Sequence, residues 1–324
     1  MAIHQKSEQT ILSVAQPQAV AQPEGEQSAP PARPSFLSRL ASSAALRSWK
    51  IRFGLTIVGF FFLLAVVGPY LVRQTPLALS PDQFASPTPQ HWLGTTFTGQ
   101  DVYSQMVDGA RVTLSVAFFA AVLATLLSVV IGLLAGYFGG LIDEILSLFT
   151  NIFLVIPALP LAIVLAGYFQ GEGYFKIQGP LPIGIIITVT GWAWGARVLR
   201  AQTLTMRKRD FVEAARANGE STLRILAAEI LPNEIAIVAS SLIFTFIYAI
   251  LAQVGLEFLG LGNTNINSWG NMLYEASQND ALLVGAWWWF VPPGLCIALL
   301  GAGLAFINFG IDEITNPRLR DTSK

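Results

Sequence analysis

The chain has 324 residues, 53% of them hydrophobic and 12% charged, with a formal net charge of −1. A soluble domain carries roughly twice that charged fraction, about 25%. Six uncharged runs, each as long as the ~20 residues a helix needs to cross a ~30 Å hydrocarbon core, exclude an ordinary soluble fold.

Residues 1–35 are polar and rich in Ala, Gln, Pro, Ser and Glu. They read as a disordered cytoplasmic tail, extended to about residue 48. No short apolar core of a cleaved signal peptide precedes the first uncharged run at 53–72, so residues 49–73 are expected to be an uncleaved first anchor. Residues 74–110 form a long extracytoplasmic segment, which Pro76, Pro81, Pro87 and Pro89 keep from being one continuous helix. Further uncharged runs follow at 112–142, 145–171, 177–196, 235–256 and 281–311. They predict an all-α polytopic membrane protein with six transmembrane helices, a five-helix core over 111–311 and a short cytoplasmic tail at 312–324.

Orientation follows from the basic residues. With the N-terminus inside, residues 1–52, 197–234 and 312–324 hold sixteen of the nineteen Lys and Arg, leaving Arg73, Arg111 and Lys176 outside. The positive-inside rule therefore puts both termini in the cytoplasm. Asp143 and Glu144 are expected in a short inner turn, and the rule does not count acidic residues.

Gly132, Gly136 and Gly140 lie four apart, so one face of the second span offers a close-packing surface for another helix. Pro157 and Pro160 predict a kink in the third span, and Pro292 and Pro293 one in the sixth. The single cysteine, Cys296, reads as a core thiol. Trp287, Trp288 and Trp289 could stack on a sugar, but a tryptophan run near a membrane face reads first as an interfacial anchor. Glu257, near the outer end of the fifth span, is either solvated at headgroup level or faces the transport pathway; no partner for it is evident within the spans.

Catalysis finds little support. The two histidines, His4 and His91, are too few for a metal cluster or a triad. None of the five lysines follows a glycine, so a phosphate-cradling G-x-x-x-x-G-K-[ST] loop is impossible in this chain. If ATP drives the protein, another chain binds it.

The most informative stretch is the basic loop at 207–232. Asp210 followed by Glu213 reads as a capping box, with Asp210 accepting from the opening amides. Glu213 suits the positive helix end. Ala214, Ala215 and Ala217 continue a small-residue helix with a bare face suited to docking, and Gly219 supplies a left-handed stop. A second helical stretch at 222–231 is expected to reach Pro232 and the fifth span.

These residues carry a resemblance. Glu213, Ala214, Ala215, then Gly219, then Ile230, Leu231 and Pro232 resemble the EAA loop of binding-protein-dependent ABC transporter permeases. Further motifs narrow the likeness to the C-type permease subunit of dipeptide and oligopeptide importers. They are His91-Trp-Leu-Gly-Thr95 before Gly99-Gln-Asp101, Gly109-Ala-Arg-Val112, Phe258-Leu-Gly-Leu-Gly262, Ser268-Trp-Gly-Asn-Met272 and Pro317-Arg-Leu-Arg320. They cover about residues 45–320 in order.

The resemblance implies the type I ABC importer permease fold in the bacterial plasma (inner) membrane. It also implies a homologous second permease subunit, two ABC ATPase subunits or domains and an extracellular or periplasmic solute-binding protein, with no nucleic acid. ATP and Mg would be bound by the ATPase chains and no cofactor by this one. Carried across, Glu213, Ala214, Ala215 and Gly219 are coupling residues, with Asp210 and Arg216 beside them. The chain departs from the family pattern at Trp92, Thr96, Gln100, Gln253, Glu257 and Glu229. Di- or oligopeptides are the expected cargo, with oligosaccharides or nickel as alternatives. An ATP-independent secondary transporter is the distant one, and no internal repeat of the kind such proteins carry is evident.

Overall fold

The computed structural model describes residues 48–72, 74–170 and 179–315. The expected tail at 1–47, Arg73, Lys176 and the Pro317–Arg320 motif lie outside the described residues. Nine helices are named here: α1 (Trp49–Leu71), α2 (Val102–Phe138), α3 (Gly140–Val155), α4 (Ala158–Gln170), α5 (Leu181–Met206), α6 (Asp210–Ala217), α7 (Thr222–Leu261), α8 (Trp269–Gln278) and α9 (Trp287–Thr315). Among the described residues there is no strand, only one isolated bridge between Thr95 and Asp101.

Five helices, α1, α2, α5, α7 and α9, are long and apolar enough to cross a membrane. The third expected span is the exception. Helices α3 and α4 pass the same test only as a pair, bent by 89°. Pro157 explains the break. It has no amide to donate and forces Ile156 out of the helical region, to φ −67° and ψ 125°. By contrast Pro292 and Pro293 lie inside α9 without interrupting it.

Helix α2 is the central post, packed on α5, α7 and α1. Its contact with α5 is close because the facing residues are small. A Cβ on Gly132 would lie 2.7 Å from the Leu199 Cβ, and one on Gly136 2.5 Å from the Thr203 Cβ. The Ser128 hydroxyl, facing Gly195, donates to the Trp192 carbonyl at 2.6 Å. Two of the three predicted packing glycines therefore do what their spacing suggested. Gly140 does not: α2 ends at Phe138, and Gly140 has nothing within 4 Å of a built Cβ. Instead Gly139 (φ +68°) and Gly140 (φ +53°) reverse the chain. That reversal is the turn between α2 and α3, so Asp143 and Glu144, expected in a turn, sit in α3 instead.

Helices α1 and α9 form a second close pair, with Gly54 against the Gly303 carbonyl and Gly310 against Ile51. Lys50 pairs with Glu313 at 3.4 Å, so the start of α1 and the end of α9 share one end of the molecule. Residues 74–101 and α8 cap the other end.

The span α2 begins ten residues earlier than expected because Asp101 caps it, accepting from the Ser104 amide at 2.9 Å and the Ser104 hydroxyl at 2.6 Å. His91 Nδ1 lies 2.9 Å from the other Asp101 oxygen. The tryptophan run is also repositioned. Only Trp287 is exposed; Trp288 Nε1 donates to the Thr95 carbonyl at 3.1 Å, and Trp289 is buried beside Phe84. The run holds residues 74–101 down rather than serving as a three-residue anchor.

Candidate functional site: the 207–232 loop and a cavity among the helices

Helix α6 lies beyond the end of α5, at the end of the molecule opposite residues 74–101. The capping box expected at Asp210 is not formed. Arg209 occupies the capping position, and no side chain bonds the opening amides. Asp210 and Glu213 both lie in the first turn, where their charge favours the positive end of the helix. The stop matches the expectation closely. Gly219 is left-handed (φ +76°), its amide bonds the Arg216 carbonyl at 3.0 Å, and the Glu220 amide bonds the Ala215 carbonyl at 3.1 Å. This paired closure needs a residue without a Cβ at the left-handed position.

The alanine face divides in two. Val212 and Ala215 are buried with Leu133 of α2 and Ile225, Leu226 and Ile230 of α7, a small core of their own. Asp210, Phe211, Glu213, Ala214, Arg216 and Ala217 remain exposed. The helix is thus mounted by one face and presents the other.

The link to the next span also differs from the expectation. Helix α7 starts at Thr222 and continues through Pro232 to Leu256, then ends in a widened turn over Glu257–Leu261 in which Gly260 is left-handed (φ +78°). A wide π-helical turn at Ile225–Ile230 precedes the proline, and the Leu231 amide bonds the Leu226 carbonyl five residues back. Widening the turn re-pairs the backbone where proline supplies no donor. The loop is therefore rigidly continuous with the fifth span.

A cavity of about 600 Å³ opens between helices. One wall is the α3–α4 break at residues 153–158. Trp194 and Thr190 of α5, Ser240, Ser241, Phe244 and Tyr248 of α7, and Asn308 and Asp312 of α9 supply much of the rest. The lining is mostly apolar with scattered hydroxyls, as in sites that take a flexible organic solute.

Glu257 is not solvated, contrary to one reading from the sequence. It is 3% exposed and does not line the cavity. Gln253 Nε2 donates to one carboxylate oxygen at 2.9 Å and the Ser268 hydroxyl to the other at 2.7 Å. Gly262 and Gly270 leave it no spare room. One partner lay a single turn away in the same span; the other comes from the cap of α8, which span counting could not reach. Cys296 is free, with its sulfur 3.9 Å from that of Met106. Two features carried no sequence signal: the ion pair of Arg200 with Asp143, and the seat of Arg216 on Tyr137.

Comparison with known proteins agrees with this architecture. Residues 128–321 match the family described as binding-protein-dependent transport system inner membrane component. The dipeptide transport system permease protein DppC of Bacillus subtilis is 32% identical over 272 residues, 82% of this chain and 81% of that one. The oligopeptide transport system permease protein OppC of the same organism is 30% identical over 272 residues, 82% and 85% of the two chains. The DppC protein of Alkalihalophilus pseudofirmus is 32% identical over 269 residues, again 82% and 85%.

Proposed function

From the premise that the chain belongs to the binding-protein-dependent transport system inner membrane component family, a multi-pass bacterial inner-membrane family, we propose that it is the transmembrane permease subunit of an ATP-driven importer. Its cargo is di- or oligopeptide, delivered by an extracellular binding protein. The peptide assignment is supported by relatives whose names specify dipeptide and oligopeptide transport. The observation that carries the reading is α6: a short helix closed by a left-handed glycine, mounted by Val212 and Ala215, with its other face presented.

In this reading the presented face of α6, with Asp210, Glu213, Ala214 and Arg216, docks on a separate ATPase chain, which holds the nucleotide and Mg. Ala215 and Gly219 serve the same docking from behind, one in the mount and one at the stop. The chain itself is non-catalytic. The cavity is this subunit's half of the pathway, completed by a homologous second permease. When the ATPase pair closes on ATP, it carries α6 with it. Because α6, α2 and the start of α7 share one small core, the push reaches the spans as rigid-body motion. Solute released by the binding protein enters the outward-open cavity, and hydrolysis resets the pair. The distribution of basic residues supports a cytoplasmic position for α6.

A second reading, oligosaccharide cargo, is favoured by the Trp194 and Tyr248 rings beside Thr190, Ser240 and Ser241, since flat aromatic faces and hydroxyls also suit a sugar chain. The test uses the whole assembly in proteoliposomes with the binding protein on one side and ATP on the other. Peptide uptake that needs ATP and the ATPase chain supports the proposal. Uptake by the permease chains alone would overturn it, and cello-oligosaccharide uptake without peptide uptake would select the second reading.

A further inference from the structure

Among the described residues, the corner between α2 and α3 is the one turn made by two consecutive positive-φ glycines. Two consecutive left-handed glycines, Gly139 and Gly140, reverse the chain immediately after Tyr137 and Phe138. Two arginines from the 207–232 loop converge on that corner. Arg207 Nη1 donates to the Tyr137 carbonyl at 3.2 Å, which satisfies one of the open acceptors at the end of α2 and places positive charge at its negative end. The same guanidinium lies against Gly139, where a Cβ would come within 2.7 Å. Arg216, on α6 itself, sets its guanidinium over the Tyr137 ring, 4.9 Å from the centroid, and its Nε donates to the Tyr137 hydroxyl at 3.3 Å. The ring also packs on the core that holds Val212 and Ala215. One side chain therefore touches the mount of α6, its exposed arginine and the last turn of α2.

What lies beyond the corner gives the contact a purpose. Helix α3 runs 16 residues from Gly140 to Val155, about 24 Å at 1.5 Å per residue. It is braced to α5 along the way. Asp143 bonds Arg200, Asn151 accepts from Arg197 at 2.7 Å, and Phe153 packs on Trp192 with ring centroids 5.2 Å apart. It then ends at the 89° break whose residues wall the cavity. A displacement of α6 passed to the corner arrives, through a braced helix, at the one wall of the cavity that is a break in a helix rather than the side of one.

We propose that Tyr137 is a positioning residue that clamps the α2–α3 corner to α6, so that corner and helix move as one body and the displacement is delivered to the α3–α4 break. This rests on the coupling role of α6 proposed above. The arginine seat and the apolar core hold the corner from two sides of the Tyr137 ring. Substitution of the tyrosine leaves α6 mounted by Val212 and Ala215 but loosens its hold on the corner. The result is a complex that assembles and hydrolyses ATP while solute stays behind.

The experiment uses the full assembly in proteoliposomes and reads three quantities: ATPase chain recovered with the permease, ATP hydrolysed, and peptide imported. Y137L is expected to recover ATPase chain within twofold of the unaltered protein and to lose at least tenfold in peptide imported per ATP. Y137F, which keeps the ring under Arg216, is expected to stay within threefold. Normal import per ATP in Y137L overturns the proposal. If Y137L fails to assemble, the decision passes to Y137M, which keeps an unbranched apolar side chain against the mount and gives Arg216 neither ring nor hydroxyl. It is expected to lose at least tenfold in peptide imported per ATP, and normal import per ATP in Y137M overturns the proposal. G219V separates this failure from that of the underlying reading. If G219V uncouples import while Y137L does not, only the clamp is wrong; if both import normally, the coupling role of α6 has failed.

Discussion

The two ends of this molecule are held together by different forces. At the end formed by residues 74–101 and α8, buried polar groups pair with one another, over separations from 3 to 193 residues. His91 holds Asp101, Asp101 caps α2, Trp288 reaches Thr95, Asn267 donates to the Gln105 carbonyl at 2.6 Å, and Glu257 binds Ser268. At the other end α6 rests on a handful of apolar side chains and two arginine contacts, with its outer face bare. Hydrogen bonds in a buried network have strict geometry and a high penalty for being left unmade. Apolar contact is non-directional and tolerates sliding. The first end is built as a frame, the second as a mount for something that moves.

The comparison breaks first at Gly219. G219V puts a β-branched residue at φ +76° and should abolish peptide import while leaving membrane insertion intact, as read by uptake and by membrane-fraction blotting. Wild-type import in that variant would remove the moving end from the account. Next is the seam between the ends. G136V collides with Thr203 and should cost about 1–3 kcal/mol, seen as an earlier thermal transition of the purified chain. G140N, at a left-handed position with open space around it, should stay within about 1 kcal/mol.

Within the frame, E257A leaves Ser268 and Gln253 without their acceptor and should destabilise by about 1–3 kcal/mol. Import per assembled complex should be unchanged, because the carboxylate is enclosed and away from the cavity; a change in cargo selectivity would return Glu257 to the pathway. Within the frame the smaller effect is H91A, about 1 kcal/mol, from loss of its side chain's close bond to Asp101. Its readout is the same thermal transition.

Much of the fold was legible because membrane spans are written in composition. Five of the six uncharged runs correspond to a single long helix, and the sixth failed at Pro157, whose kink was foreseen but whose 89° size depends on what packs around it. Gly132, Gly136 and Gly219 could be read because close approach and a left-handed turn leave glycine few substitutes. The capping box at Asp210 failed by one residue of register: local preference favours aspartate over arginine at the cap, yet the helix opens with Arg209 there, and helix starts are not fixed to a single residue by such preferences. Glu257 and Tyr137 were hidden for a shared reason. Their partners, Ser268 in one case and Arg207 and Arg216 in the other, lie in different elements, and no periodicity along one helix encodes such contacts.

The central claim is that the presented face of α6 meets an ATPase chain and the opposite end of the molecule does not. A photo-reactive amino acid placed at Ala214, on that face, and another at Leu79, 73% exposed at the far end, compare the two directly in native membranes. The account predicts that Ala214 captures a chain that hydrolyses ATP and that Leu79 captures none. An ATPase recovered from Leu79, or none from Ala214 in an import-competent complex, would contradict it.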